Sequence, residues 1–233
     1  MSSNASALVA GILLVASAPL LAQEPDGNWE GLVRVQSQTI EFVYLAPGAD
    51  FRPYTKVMLD PSEMAMEKDW SLQPNGRDST FRREADERQV FLALERARKR
   101  FDRFFADAFT EAGFAVVGSR GTDVLRVRVG VFDIDMETPE GNLVTTTERK
   151  TLSENAGRAT LVVEVRDSVT NALLGRAVDR RIAGDTGLWA RSYRSHKVDF
   201  DRLFRSWAEA SAAGMTELKR LSPVDVNGEQ LAR

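Results

Sequence analysis

DVLRVRVGVF (residues 123–132) and RATLVVEVRD (residues 158–167) decide the fold. In the first, Leu125, Val127, Val129 and Val131 alternate with Arg126, Arg128, Gly130 and Phe132. In the second, Ala159, Leu161, Val163 and Val165 alternate with Thr160, Val162, Glu164 and Arg166. A period of two places each set on its own side of a pleated strand, so both segments read as strands with one buried face, expected to pair with each other. The polar run SVTNA (168–172) follows at once and predicts a hairpin about Asn171, leading into a third strand, LLGRAVDRRI (173–182).

The period changes on either side of these strands. From about Thr80 to Ala112 the apolar residues Val90, Phe91, Leu94, Ala97, Phe101, Phe104, Phe105 and Ala108 recur at spacings of three and four, with charge between them. That is the spacing of one helical face. Asp78 or Ser79 can cap its start, and Gly113 can adopt the left-handed conformation that ends a helix. EAGFAVV (111–117) then turns into a strand. Near the C-terminus, Phe200, Leu203, Phe204, Trp207, Ser211, Met215, Leu218 and Leu221 predict a helix from 200 to 221, capped by Asp199 and stopped by Ser222-Pro223. Further towards the N-terminus, YTKVMLDP predicts a strand over 54–60, GLVRVQSQTIEFVYLAP (31–47) offers short strands or an ordered edge, and 61–78 reads as a loop with Trp70 folded back on the core.

Phe-rich helical faces opposite Val-rich strand faces imply an α+β fold, a mainly antiparallel sheet with two long helices packed on one face. The chain has 233 residues, 43% hydrophobic and 28% charged, which suits one ordinary domain with its own core. The expected division is a signal peptide at 1–22, a linker or edge segment at 23–41, a single domain at 42–222 and a C-terminal tail at 223–233. The signal rests on ALVAGILLVASAPLLA (7–22), an uncharged apolar stretch ending in small residues and followed by the polar QEPDGNWEG. It falls short of the roughly 20 residues that span a bilayer, so cleavage after Ala22 is expected, leaving no transmembrane segment and a periplasmic or secreted protein. Without Lys or Arg, the leading MSSNAS departs from the usual basic start.

Composition removes several functions. With 31 basic and 34 acidic residues the net charge is −3, which favours neither nucleic acid nor anionic lipid as partner. The absence of cysteine excludes disulfides, thiol catalysis, zinc ribbons and lipid attachment at an N-terminal cysteine.

The order of the signal, YTKVMLDP, the long helix ending in EAGFAVV, LRVRVGVFDID, the LVVEVRDSVTNALLG hairpin and the final helix carrying FRSWAEA resembles the DUF3313 family, domain of unknown function 3313. The likeness spans residues 42–222 and implies small exported bacterial proteins, often lipoproteins, with no catalytic residues to carry over. Lacking cysteine, this chain departs from the lipidated members.

Three groups of residues offer chemistry. His196, the single histidine, stands near Ser192, Ser195 and Asp199, but catalytic triads draw on distant segments and no G-x-S-x-G turn is present, so a solvated loop histidine is the better reading. Asp133, Asp135 and Glu137 alternate at a strand end with Glu140 behind, yet a calcium loop needs glycine where Thr138 stands and glutamate where Val144 stands. RARKRFDRFF (96–105) interleaves bases with aromatics, but Phe101, Phe104 and Phe105 belong to the buried stripe and the bases to a salt-bridged outer face. No catalytic, cofactor-binding or metal residue is therefore assigned and no cofactor is expected.

The functional expectation is a non-enzymatic exported module that binds an envelope protein or itself through two irregular stretches, 138–157 and 183–198. The second stretch carries Trp189, Arg191 and Tyr193, residue types enriched at contact centres. The alternative is a periplasmic hydrolase or a small-ligand or metal-binding protein built on Asp133, Asp135 and His196.

Overall fold

The computed structural model describes residues 28–67, 80–136, 151–153, 157–184, 189–191 and 193–224. Five short strands come first: β1 (Asn28–Trp29), β2 (Leu32–Val35), β3 (Phe42–Leu45), β4 (Lys56–Leu59) and β5 (Glu63–Met66). Helix α1 (Thr80–Glu111) leads to β6 (Ala115–Val116) and the long β7 (Val124–Met136). β8 (Thr151–Ser153), β9 (Gly157–Asp167), β10 (Leu173–Ala183) and β11 (Trp189–Arg191) precede the closing helix α2 (Tyr193–Leu221). Among the described residues no helix is long and apolar enough to cross a membrane.

The α+β reading holds. The main sheet runs β1-β2-β3-β10-β9-β7-β4-β6, with β5 also paired to β7, and β8 and β11 form a separate two-stranded sheet. Pairing is antiparallel from β1 across to β7, and parallel where β4 and β5 join β7 and where β6 joins β4. The two deciding segments are neighbours as expected, and their register sets Val127 opposite Val165 and Val129 opposite Val163. Leu125, Val127, Val131 and Leu161 are fully buried, while Arg126 and Arg128 lie on the other side. The hairpin turns at Asn171, which takes a φ of 61°, and Asp167 organises the turn by accepting the N–H groups of Val169 and Thr170 at 3.0 and 2.7 Å.

β4 and β5 are one line of chain along β7, broken at Pro61. The N–H of Asp60 reaches the Val127 carbonyl and that of Glu67 reaches the Ile134 carbonyl. Pro61 has no N–H to offer, and the N–H of Ser62 turns to the Asp102 carboxylate on α1 instead. β5 therefore corrects the loop reading of 61–78. Its residues EMAM are poor strand formers, and the strand exists because the 13-residue β7 offers an edge that partly buried Met64 and Met66 can cover. Trp70 lies outside the described residues.

α1 ends as its sequence indicates. Gly113 has a φ of 89°, the Phe114 N–H reaches the Phe109 carbonyl at 3.0 Å, and the Phe109 and Phe114 rings meet at 5.7 Å, which is a Schellman cap with its apolar contact. α2 differs from expectation at its start: it opens at Tyr193, not Phe200, so Asp199 lies inside the helix and bonds Arg202 instead of capping. No glycine or proline occurs between Leu188 and Ala213 to stop the helix earlier.

The helices run parallel on the sheet face that carries Leu125, Val127 and Val163. Phe101 meets Phe204 edge-on at 5.2 Å, Arg100 pairs with Asp201 at 2.8 Å, and near the far ends Lys219 lies over the Phe114 ring. Phe101, Phe105, Phe109, Phe204 and Trp207 fill the space between helices and strands, each at about 1.5–3 kcal/mol of burial. Phe91 breaks the stripe and is 63% exposed; it is level with the start of α2, before which no described helix lies beside α1.

Candidate functional site

One end of the molecule gathers the residues that the sequence singles out. β7 finishes there, β9 begins, β10 finishes, and Met136 and Ala183 stand on either side of Gly157. β8 lies three residues before β9, and β11 five residues after β10. These two pair antiparallel, with Trp189 opposite Ser153, Ala190 opposite Leu152 and Arg191 opposite Thr151. The stretches 138–157 and 183–198 are therefore not two separate loops. They meet in a ribbon that carries both arms of the β9–β10 hairpin onward, with two more residues on the β10 side.

Of the three contact candidates, Trp189 and Arg191 sit at the ends of β11, and Tyr193 opens α2 two residues later. His196 lies in the first turns of α2, which corrects its reading as a loop histidine. Both helices start at this end, since α2 follows the ribbon directly and α1 runs parallel to it. Among the described residues the large apolar side chains left exposed are Phe91, Leu92, Val116, Val169, Ile182 and Val198. Four of them lie towards the ribbon: Phe91 and Leu92 in the early turns of α1, Ile182 at the end of β10 and Val198 near the start of α2.

The acids at the end of β7 do not form the simple alternating row their spacing implies. Asp133 takes a φ of 49°, and the register between β7 and β9 shifts here, so that Asp133 and Ile134 together face Ala159. This is a β-bulge, and it returns Ile134 to the core at 3% exposure where unbroken alternation would have buried Asp133. The carboxylates are then taken by neighbours. Thr160 Oγ1 donates to Asp133 at 3.2 Å, and Arg158 binds Asp135 at 3.4 Å and Glu67 at 3.2 Å. The Glu67 hydrogen bond, helped by Asp135, holds the Arg158 guanidinium above its ordinary range. Glu137 lies outside the described residues, and among those described no three acids or histidines stand close enough to hold a metal.

Below the ribbon a buried polar knot fixes α2 to the sheet. Ala177 faces Val163 and Asp179 faces Leu161, so Asp179 points to the helix side. It is 4% exposed and accepts from Trp207 Nε1 at 2.7 Å, from the Glu41 N–H at 3.0 Å and from Arg181 Nε at 2.6 Å. Arg181 goes on to Ser206 Oγ and the Thr39 carbonyl. On the opposite sheet face Glu164 sits among Arg128, Arg166 and Arg176. Burial works against its charge, but the Arg176 hydrogen bond and the neighbouring guanidiniums outweigh it and keep the carboxyl below its usual range. Sequence reasoning missed both clusters, because one joins residues brought together by strand register and the other joins β10 to α2.

Among solved structures the fold is similar to a PelC dodecamer from Paraburkholderia phytofirmans, at 12% identity over 72% of this chain and 95% of that one, with a TM-score of 0.36. It is also similar to protein XCC0632 from Xanthomonas campestris, at 9% identity over 80% and 91% with a TM-score of 0.38. A putative neuraminyllactose-binding hemagglutinin homolog from Helicobacter pylori matches at 10% identity over 76% and 93%, with a TM-score of 0.33. Likenesses this distant carry no residue-level correspondence. No curated protein matches the chain. The family model described as "Protein of unknown function (DUF3313)" matches residues 27–211, most of the sequence, and the chain belongs to that family.

Proposed function

We propose that this protein is a non-enzymatic module, exported by a signal cleaved after Ala22, that binds an envelope protein or a further copy of itself through the ribbon end. The observation that carries the reading is the convergence of the two irregular stretches in one ribbon, β8 with β11, at the end of the molecule towards which exposed Phe91, Ile182 and Val198 lie. Scattered apolar side chains are ordinary on a surface, but four at one end beside a strand pair held by a long hairpin form a platform suited to a partner. Trp189, Arg191 and Tyr193 are the expected centre of contact. Acids that could otherwise serve a hydrolase or a cation at this end are engaged, Asp135 by Arg158 and Asp133 by Thr160.

Crosslinking in intact cells followed by affinity recovery and mass spectrometry tests the proposal. Trp189→Ala is expected to reduce recovery of the crosslinked partner while leaving the thermal midpoint in place. Unchanged recovery with both Trp189→Ala and Tyr193→Ala would refute the site. An exported protein whose intact mass still includes residues 1–22 would refute the cleavage.

A further inference from the structure

The solvent face of α1 has a charge order that helix stability does not explain, and the middle of α2 repeats it. On α1, Arg96, Lys99 and Arg103 are exposed, followed towards the C-terminus by exposed Asp107 and Glu111. On α2, exposed Arg205 precedes exposed Glu209. A helix favours acids near its start and bases near its end, and α1 has no basic residue in its last turn, where Glu111 stands. Arg103 and Asp107 are four residues apart, as are Arg205 and Glu209, yet neither pair closes into an ion pair, although Arg100, Lys197 and Arg202 nearby all find carboxylates. Arg205 instead lies over the Phe104 ring at 4.9 Å.

We propose that this face is a self-association surface, seated on the same face of a second copy of the chain with the helices of the two copies antiparallel. Two-fold axes lying in the interface come in two kinds. An axis along the helices sets basic half on basic half, and an axis across them sets basic half on acidic half. The charge order selects the second, in which each contact from residue i to residue j is repeated from j to i. Arg103 then meets the partner's Asp107, and Lys99 meets the partner's Glu111. Both pairs share one midpoint, Phe105. On α2 the midpoint of Arg205 and Glu209 is Trp207, and the contact of Arg205 with Phe104 sets the two midpoints level to within a turn. One axis therefore serves both helices. Small Ala106, Thr110 and Ala213 stand on the outer face around that level and permit close approach. The surface is separate from the ribbon, and the proposal goes beyond the ribbon's role.

Sedimentation velocity of the mature protein at about 0.05 M salt is expected to show a monomer–dimer equilibrium that dissociates at about 0.5 M, where charges are screened over a few ångströms. Arg103→Asp and Asp107→Arg, each alone, are expected to weaken the dimer by about tenfold or more, because each sets two like-charge contacts at the axis, and the double exchange is expected to restore it. The chain has no cysteine, so Ala106→Cys with a short bismaleimide reports on the axis directly and is expected to give a crosslinked dimer, whereas Thr170→Cys at the hairpin turn is not. A monomer at every salt and concentration would overturn the proposal, as would a dimer indifferent to the exchanges or one abolished by Trp189→Ala, which would locate self-association at the ribbon.

Discussion

Asp179→Ala is the substitution that most directly tests how α2 is held to the sheet. It removes one acceptor from three donors at once: Trp207 Nε1, the Glu41 N–H and Arg181 Nε. Trp207 is 0% exposed, so its N–H has no water to turn to and remains unsatisfied, at about 1–3 kcal/mol. Removing one member of a buried ion pair costs about 3–5 kcal/mol when the other is left stranded. Arg181 is not fully stranded, since about a third of its side chain reaches solvent and it keeps Ser206 and Thr39, so the low end applies: a loss of about 3 kcal/mol. Asp179→Asn keeps an acceptor for Trp207 but sets its NH2 against the Glu41 N–H, so it loses the charge and one acceptor and is expected to cost about 1–2 kcal/mol. Urea unfolding followed by far-ultraviolet circular dichroism measures both, with the slope in denaturant checked for constancy. A loss below about 1 kcal/mol for Asp179→Ala, or equal losses for Ala and Asn, would show that the knot does not act as a network anchored on this carboxylate.

Stability should fall at both extremes of pH for identifiable reasons. Tyr54 is pushed up to about 12 from 10.0 by burial and by its bond to Asp167. A raised group contributes below its unfolded value and loses that contribution as pH climbs through the folded one, so an alkaline limb between pH 10 and about 12 is expected and should vanish in Tyr54→Phe. If the limb persists in that variant, the assignment fails. At the acid end, burial opposes the charges of Asp167 and Glu164, but the donors around Asp167 and Arg176 beside Glu164 outweigh it and hold both carboxyls low. Their contribution is present above the ordinary carboxylate range and lost as pH falls through their lowered values, so Glu164→Gln should shrink the acid loss in a pH series of urea midpoints. Gly175→Ala should destabilise by about 1–3 kcal/mol through overpacking. Its new Cβ would stand 2.9 Å from Leu45 Cδ2 and 3.2 Å from the Tyr44 carbonyl oxygen, and a midpoint equal to that of the parent would show that β3 yields freely.

The central strands were legible because β7 and β9 keep aliphatic residues on one face and mostly polar ones on the other through the middle of both strands, a pattern only a half-buried strand maintains. β10 hides its orientation. LLGRAVDRRI has no clean alternation, and the register puts Ala177, Asp179 and Arg181 on the helix side while Val178, 7% exposed, is buried on the other. A carboxylate can face a core only when another element supplies its donors, and Trp207 stands 28 residues away on α2. The bulge at Asp133 was hidden for a similar reason: the single-strand pattern continues through it, and the flip appears only when the count is made against β9. Phe91 has the spacing of a buried residue, but spacing cannot say where the neighbouring helix begins.

The ribbon is the clearest case of a candidate surface that no local pattern could announce. Thr151–Ser153 and Trp189–Arg191 are three residues each and too short to signal a strand, and neither stretch carries a turn that would join it to the other. What brings them together is the β9–β10 hairpin, whose ten paired positions fix the two outgoing arms side by side before either reaches the ribbon. A pair so short is unstable alone, and its two strands are held near each other by the hairpin they adjoin. A contact surface on this ribbon is accordingly set by the core of the domain. A substitution at the Asn171 turn that slipped the hairpin by one residue would turn every β10 side chain to the wrong face, since β9 is held by β7, and would displace Trp189 with it. Binding at the ribbon and stability of the central sheet should therefore fail together for register mutants and separately for Trp189→Ala, which distinguishes a surface carried by the fold from one that is merely adjacent to it.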